Sequence, residues 1–358
     1  MLQRLLLLSL IVVTFASQAS HAQSSSDAPR APVPAPESSE AIVGPIEPVY
    51  ISNVPGAGQL LPEPIALPES TPASRASTPH KALAIVFDAA AARRFRSLKL
   101  GSSAAIVVDQ SDGHLLYAKN ADVVRSIASI SKLMTAMVVL DSGVPLDETI
   151  VVEASDVYMP TTRPSRLRPG MSLTRGELLQ LALMASENAA AAALARSHPG
   201  GMSAFVAAMN AKAHALGMRD TRFLEPTGLN AGNVSTAYDL ALMADAGYTY
   251  EMIRQFTTSG SHDLPLMDRR RPTLISFYNS NDLVRNGEWQ IGLSKTGFIS
   301  EAGRCVVMQA KIAERSVIIV LLDANGSSAR SLDAFRVKHW LEGVEPAVAT
   351  KHRQKRRM

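Results

Sequence analysis

The 358-residue sequence predicts an α+β domain, because strand patterns near both ends of the domain enclose a helical region. Asp112-Gly113 is a hairpin signal between the first two strand-like segments. After Trp289 the chain regains strand character. The segments with strand patterns are 104–109, 115–119, 289–296, 303–312 and 316–323. We expect these terminal segments to meet in one antiparallel sheet.

The region between the strands has helical patterns. A helix is predicted from about Ser129 to Leu140. Thr174-Arg175-Gly176-Glu177 has the form of a capping box, and the following Leu178 to Met184 is apolar on every side, which predicts a buried central helix. Further helices are predicted over 202–216, 236–246 and 328–342.

Residues 1–22 have the features of a secretory signal peptide. Arg4 precedes an apolar run from Leu5 to Phe15, and Ser20-His21-Ala22 offers small residues for cleavage. The alternative is an uncleaved anchor, but the run is shorter than the ~20 residues of a membrane-spanning helix. We therefore expect cleavage after Ala22 and a periplasmic protein that is peripheral to a membrane at most.

Four further segments follow the signal peptide. Residues 23–80 contain 12 of the 21 prolines, which predicts an extended linker. Residues 81–100 form a leader segment with helical character, and 101–345 form the folded domain. Residues 346–358 are a basic tail in a chain of net charge +4. We interpret this tail as a solvated end and expect no nucleic-acid partner.

The cysteine and histidine content argues against thiol and metal chemistry. Cys305 is the only cysteine, so the exported domain has no intrachain disulfide. A catalytic thiol is the alternative, but a small buried apolar residue is the interpretation we adopt. The eight histidines include no paired metal-binding motif, so we expect no metal and no cofactor.

Three short motifs carry the chemistry. Ser129-Ile130-Ser131-Lys132 places a serine and a lysine on one helix face, where a neutral amine can take the hydroxyl proton. Ser186-Glu187-Asn188 follows the central helix, and Lys295-Thr296-Gly297 ends a strand-like run that could pair with a bound peptide. Each motif alone is weak, but the three together in this order are typical of β-lactamases and penicillin-binding proteins.

The chain resembles the low-molecular-mass penicillin-binding proteins, which are D-alanyl-D-alanine peptidases, and most closely their penicillin-binding protein 7 type of endopeptidase. The resemblance covers about residues 101–343 and depends on segments around and between the three motifs: 125–137, 181–190, 223–229, 293–298 and 301–305. It implies a β-lactamase/DD-peptidase-like fold, with an antiparallel five-stranded sheet packed against a helical region. Glu187 departs from many relatives, which have glycine or aspartate there.

The resemblance also implies the roles of four residues in acyl transfer. Ser129 would attack the D-alanyl carbonyl and form an acyl-enzyme, with Lys132 as the general base. Ser186 would pass a proton to the leaving amine, and Asn188 would bind a substrate amide.

Substrate binding is assigned by the resemblance to the third motif. Lys295 and Thr296 would hold the carboxylate next to the scissile bond, beside Gly297. The backbone N–H groups of Ser129 and Phe298 would form the oxyanion hole. Arg330, near the start of the last helix, is a candidate for a second carboxylate contact.

The predicted function is hydrolysis of D-alanyl-diaminopimelate cross-links in peptidoglycan stem peptides, with β-lactam antibiotics as covalent inhibitors. The alternative is a carboxypeptidase that trims pentapeptides, since the cross-link also presents a D-centre with a free carboxylate. A β-lactamase would need a glutamate to activate water, and Glu225, before Pro226-Thr227-Gly228, has the pattern of a structural residue. A non-catalytic wall-binding module is the last alternative.

Overall fold

The computed structural model describes residues 82–86, 98–158, 164–268, 271–326 and 328–343, with side chains omitted at 266–268 and 271–273. The predicted signal peptide (1–22), the linker (23–80) and the basic tail (346–358) lie outside the described residues. None of the described helices is both long and apolar enough to cross a bilayer.

The strands and helices follow one another in a mixed order along the chain. The strands are β1 (Ala104–Asp109), β2 (Leu115–Lys119), β3 (Arg125–Ser126), β4 (Thr149–Val151), β5 (Ser172–Thr174), β6 (Val234–Ser235), β7 (Ser261–Asp268), β8 (Arg271–Tyr278), β9 (Gln290–Ile299), β10 (Gly303–Ile312) and β11 (Arg315–Ala324). The helices are α1 (Lys132–Asp141), α2 (Ala154–Val157), α3 (Arg175–Met184), α4 (Asn188–Arg196), α5 (Gly201–Ala215), α6 (Ala237–Tyr248), α7 (Glu251–Thr258), α8 (Asp282–Asn286) and α9 (Ala329–Leu341). A 3-10 turn over Ala128–Ser131 leads directly into α1.

The N- and C-terminal strands meet in one five-stranded sheet, in the order β2-β1-β11-β10-β9. All four pairings in this sheet are antiparallel, and Ile106 lies opposite Val320 in the β1–β11 pair. The predicted α+β class and the antiparallel five-stranded sheet are therefore confirmed. Strand β9 is at the edge of the sheet, so one side of its backbone faces away from the other strands.

Both faces of the sheet are apolar, because alternate side chains along each strand point to opposite sides. One face, with Ile106 and Val320, belongs to the large core that the helical region shares. The other face, with Val107 and Ile319, packs against α9 through Val337. The sheet is thus covered on both sides, and its edge strand β9 borders the helical region.

Helix α3 is the buried central helix predicted from the sequence. The Thr174 hydroxyl accepts from the backbone N–H of Glu177, and the Glu177 side chain in turn binds the N–H of Thr174, so the capping box forms. Side chains from Leu178 to Met184 are buried, apart from the half-buried Gln180. The second motif follows the C-terminal end of α3 and lies beside the edge of the sheet.

The leader segment differs from the helical expectation where it is described. Residues 82–86 form no helix, and Val86 forms a parallel bridge with His114 at the β2 end of the sheet, whereas 87–97, with the alanine run that suggested a helix, lie outside the described residues. Leu83 and Ile85 pack against the main core, and the N–H of Leu83 donates to Asp245. The packed domain therefore begins before residue 101, because alternating apolar residues at 83 and 85 suit an extended segment beside a sheet.

Candidate active site

The first motif lies in the 3-10 turn and the start of α1. Ser129 is half-buried, whereas Ala128 and Ile130 on either side are fully buried. Ala128 has a left-handed backbone (φ 48°), which is unusual for a residue other than glycine. The turn therefore presents the Ser129 hydroxyl at the surface of the core.

The Lys132 amine is fully buried and is surrounded by three oxygen atoms. Its Nζ lies 2.9 Å from Ser129 Oγ, 2.7 Å from Asn188 Oδ1 and 2.6 Å from the Thr227 carbonyl oxygen. Burial lowers the pKa of Lys132 from 10.5 to about 7, although the carboxylates of Glu225 and Glu187 act in the opposite direction. A large fraction of this amine is therefore neutral near neutral pH.

A loop from Glu225 to Asn230 fixes the carbonyl group that Lys132 contacts. The Glu225 carboxylate accepts from the backbone N–H groups of Thr227 and Gly228, at 2.7 and 2.6 Å, and from the Thr227 hydroxyl. Gly228 has φ +80°, and a Cβ there would lie only 1.9 Å from the Ala128 carbonyl oxygen. Glu225 is thus engaged in holding this loop against the nucleophile turn, as the sequence pattern indicated.

The second motif connects two lysines. Ser186 follows α3 with φ 62°, and its Oγ accepts a hydrogen bond of 2.8 Å from Lys295 Nζ. Asn188 begins α4 and contacts Lys132. The short segment between α3 and α4 therefore brings Ser186 into contact with Lys295 and Asn188 into contact with Lys132.

The third motif lies on the edge strand β9. Lys295 is buried, and its Nζ also donates to the Thr296 carbonyl oxygen at 2.9 Å. A Cβ at Gly297 would lie 2.9 Å from the Ile127 carbonyl oxygen and 3.1 Å from the Ser129 nitrogen. Glycine therefore allows β9 to pass close to the nucleophile turn, which brings its backbone beside the Ser129 N–H.

Ser280 is a site residue that the sequence analysis missed. Its Oγ lies 2.7 Å from Thr296 Oγ1, its N–H donates to the Met184 carbonyl, and its own carbonyl accepts from Arg330 at 3.2 Å. These contacts join the third motif, the end of α3 and the start of α9. The polar run Asn279-Ser280-Asn281 before β9 was the available signal, but its partners are distant in the sequence.

Arg330 and Phe298 lie at the border of the site. Burial lowers the pKa of Arg330, and the nearby cationic Arg304 lowers it further. The Phe298 side chain is 52 % exposed, with the Arg304 guanidinium 4.8 Å from its ring centroid. All nine predicted site residues therefore lie in or beside one region at the edge of the sheet.

A cleft of about 570 Å³ adjoins the second and third motifs. It is bordered by residues from the segment before β5, the end of α3, strand β8 and helix α8: Pro164, Arg166, Ala185, Glu187, Phe277, Tyr278, Asn279, Ser280 and Arg285. Ala185 and Glu187 flank Ser186, and Ser280 contacts Thr296. The cleft therefore lies next to Ser186 and to the Ser280 contact of Thr296.

The arrangement suits nucleophilic acyl transfer. A half-buried hydroxyl lies next to a buried amine, a second hydroxyl contacts a second lysine, and an edge strand lies beside both. Within the described part of the chain, no group of three or more His, Cys, Asp or Glu residues could hold a metal ion. Cys305 is buried, and burial raises the pKa of its thiol to about 11, so it is not an activated nucleophile.

Comparison with known proteins agrees with this geometry. The model of the D-alanyl-D-alanine carboxypeptidase family matches residues 89–326. The chain is 47% identical over 263 residues to the D-alanyl-D-alanine endopeptidase of Pseudomonas aeruginosa, covering 72% of this chain and 84% of the relative. It is 43% identical over 271 residues to the enzyme of the same name from Escherichia coli (strain K12), covering 75% and 87%. The crystal structure of the Streptomyces K15 DD-transpeptidase superimposes with a TM-score of 0.64 at 26% identity, covering 68% of this chain and 98% of that one.

Proposed function

The chain belongs to the D-alanyl-D-alanine carboxypeptidase family of serine peptidases, and on this basis we propose that it is an endopeptidase that hydrolyses D-alanyl-diaminopimelate cross-links in peptidoglycan. Its two relatives of 47% and 43% identity both carry the name D-alanyl-D-alanine endopeptidase. Three features of the site support the proposal: a serine beside a buried amine, an edge strand that can bind a peptide, and a large cleft beside Ser186.

The surroundings of Lys132 are the observation that carries the proposed chemistry. Asn188 Oδ1 and the Thr227 carbonyl oxygen can only accept hydrogen bonds. A neutral amine has two N–H donors, so both are used by these acceptors and its lone pair is directed to the Ser129 hydroxyl at 2.9 Å. Lys132 is thereby arranged to take the proton from Ser129 as the serine attacks the D-alanyl carbonyl.

The developing negative charge and the leaving group are handled by the other two motifs. The Ser129 N–H, beside the close approach of Gly297, and the Phe298 N–H form the oxyanion hole. Ser186 Oγ, held by Lys295, relays the proton that Lys132 took from Ser129 to the leaving amine as the C–N bond breaks, so that Lys132 is neutral again. Asn188 also binds the substrate amide, and water then hydrolyses the acyl-enzyme and regenerates Ser129.

The substrate carboxylate next to the scissile bond binds near Lys295 and Thr296. Both residues lie at the edge of the sheet, where an extended peptide can pair with β9. Arg330 supplies a second positive charge nearby. It donates a hydrogen bond to the Ser280 carbonyl, and the Ser280 hydroxyl is hydrogen-bonded to Thr296. A terminal D-alanine and the D-centre of diaminopimelate both offer this carboxylate.

The cleft beside Ser186 favours the endopeptidase over the carboxypeptidase. A carboxypeptidase releases a single D-alanine, whereas an endopeptidase must hold a whole acceptor stem on the leaving-group side. The space of about 570 Å³ beside Ser186, the residue that we assign to the leaving amine, is much larger than one alanine needs. Trimming of pentapeptides remains the second candidate, since the family model carries the carboxypeptidase name.

A β-lactamase is disfavoured by the position of Glu225. Fast hydrolysis of a β-lactam needs a carboxylate that activates water, but Glu225 accepts hydrogen bonds from its own loop at 2.6 and 2.7 Å. We therefore expect a stable acyl-enzyme with penicillins and slow turnover of nitrocefin. Rapid nitrocefin hydrolysis would contradict this assignment, and absence of covalent labelling would indicate a non-catalytic wall-binding module.

The test of the endopeptidase is digestion of purified muropeptides. We expect kcat/KM for the cross-linked dimer to exceed that for the monomeric pentapeptide, with products separated by chromatography. The inactive variant Ser129→Ala serves as the control for contaminating hydrolases. Faster trimming of the pentapeptide while dimers persist would identify a carboxypeptidase instead. Action on the cell wall implies a periplasmic enzyme, and export through residues 1–22 stays a prediction.

A further inference from the structure

The cleft beside Ser186 contains two arginine side chains whose directions are fixed by the backbone. The Arg166 guanidinium donates to the Ser276 carbonyl and lies 5.6 Å from the ring centroid of Phe277. The Arg285 guanidinium donates to the Asn279 carbonyl and also pairs with Asp282. A guanidinium has five N–H donors, which is more than these contacts use. Both groups are thus oriented and can still bind an anion.

Ser280 connects these arginines to the residues that we assign to the carboxylate next to the scissile bond. Thr296 contacts Ser280, whose carbonyl accepts from Arg330, and Ser280 borders the cleft with both cleft arginines. A substrate held at Thr296 and Arg330 can therefore extend past Ser280 into the cleft that contains Arg166 and Arg285.

We propose that Arg166 and Arg285 form a subsite that binds the additional carboxylates of the acceptor stem peptide. This inference rests on the proposed function, because only a cross-linked substrate has an acceptor stem. Such a stem carries free carboxylates on its D-glutamyl residue and at its C-terminus, in addition to the one beside the scissile bond. Arginine suits these groups because its planar guanidinium can bind a carboxylate with two parallel hydrogen bonds.

The acidic residues near the cleft offset part of this attraction. The Glu187 carboxylate borders the cleft and accepts from the Ser165 hydroxyl, and Asp282 pairs with Arg285. These two negative charges balance Arg166 and Arg285, and Arg330, next to Ser280, leaves an excess of one positive charge. Tyr278, with 58% of its surface exposed, forms an apolar wall on which the stem can lie.

The test compares two substrates on one double variant, Arg166→Ala with Arg285→Ala. We expect kcat/KM for the cross-linked dimer to fall about tenfold more than kcat/KM for the monomeric pentapeptide, because only the dimer loses charged hydrogen bonds. The exposed Arg219 is the matched control, and Arg219→Ala should change neither value. If the double variant folds poorly, Arg166→Lys is the milder alternative. It keeps the positive charge and should show a smaller loss of kcat/KM for the cross-linked dimer.

A second arm changes the substrate instead of the protein. A dimer in which only the D-glutamyl and C-terminal carboxylates of the acceptor stem are amidated should be cleaved about tenfold more slowly by the wild-type protein. The double variant should show almost no further loss with the amidated dimer, as expected when the arginines and the carboxylates interact directly.

The outcomes separate this inference from the proposed function. If the wild-type protein cleaves dimers and the double variant loses equal activity on both substrates, or none, the subsite is refuted and the endopeptidase stands. Additive effects of the variant and of amidation would likewise refute the subsite. If the wild-type protein trims pentapeptides and leaves dimers intact, the proposed function fails, and the subsite fails with it.

Discussion

The protonation of Lys132 should control how fast Ser129 is acylated, and pH is the perturbation that tests this directly. Burial lowers the pKa of Lys132 to about 7 from 10.5. At ~1.36 kcal/mol per pKa unit, this favours the neutral amine by roughly 5 kcal/mol. At pH 7.5 about three in four molecules then have a neutral amine, against about one in a thousand for an ordinary lysine.

The magnitude follows from the fraction of neutral amine. Since only the neutral form can take the Ser129 proton, acylation should fall about tenfold for each pH unit below 7 and level off above 8. Between pH 8 and pH 5 we expect a loss of roughly 100-fold. The folded state releases a proton that the unfolded chain still binds. The contribution of Lys132 to stability therefore rises as pH increases from about 7 to 10.5.

The assay measures the second-order rate constant for acylation by a fluorescent penicillin at pH values from 5 to 9. Each reaction is stopped by rapid quenching. Thermal melting at each pH shows whether the domain stays folded, and prelabelled protein shows whether the acyl-enzyme survives the quench. A flat profile, or a rate constant that still rises steeply at pH 9, would show that burial does not set the proton affinity of the base. The assignment of Lys132 as that base would then have to be abandoned.

Four substitutions test other parts of the site. Ser129→Ala should abolish penicillin labelling and peptidase activity, by several orders of magnitude, with an unchanged melting curve; covalent labelling of this variant would exclude Ser129 as the nucleophile. Lys132→Arg should block acylation, because a guanidinium stays protonated, whereas Lys295→Arg keeps a cation for the substrate carboxylate and should retain measurable activity; equal, complete loss would argue against separate roles. Gly228→Ala should lower the free energy of unfolding by more than ~1 kcal/mol, since its Cβ would lie 1.9 Å from a carbonyl oxygen. Gly143, with φ +65° and open space around it, is the matched control for backbone strain alone, and equal melting temperatures for the two alanine variants would contradict the clash.

Much of the fold was predictable because its strongest sequence patterns are local. The strand over 303–312 and the capped helix after Thr174 were both predicted from such patterns. The β7–β8 hairpin was missed because Pro265 and Pro272 argue against strands. In a two-stranded sheet each strand is an edge, so proline is tolerated there. Helix α4 was missed because its alanine-rich sequence lacks a polar face that would mark it.

The reactive side chains were predictable, whereas the groups that position them were not. Ser129 and Lys132 are three residues apart, so their meeting follows from helix geometry. The Thr227 carbonyl is a backbone acceptor, which carries no side-chain signature, and its partner Lys132 is 95 residues away. Ser280 is likewise recognisable only from its contact with Thr296, once the sheet has formed. Arg330 was predicted as a carboxylate contact, and this role stays a prediction.

The three oxygens around the Lys132 amine also determine at which stage of folding the molecule becomes reactive. They come from positions 129, 188 and 227, so they gather only when α4 and the loop from Glu225 to Asn230 have packed against the start of α1. In an unfolded chain the same lysine has its ordinary pKa of 10.5, and the serine beside it is an inert alcohol. A chain in transit or misassembled cannot cut the wall or capture an antibiotic. Covalent penicillin labelling therefore counts native molecules and can serve as a quantitative probe of maturation.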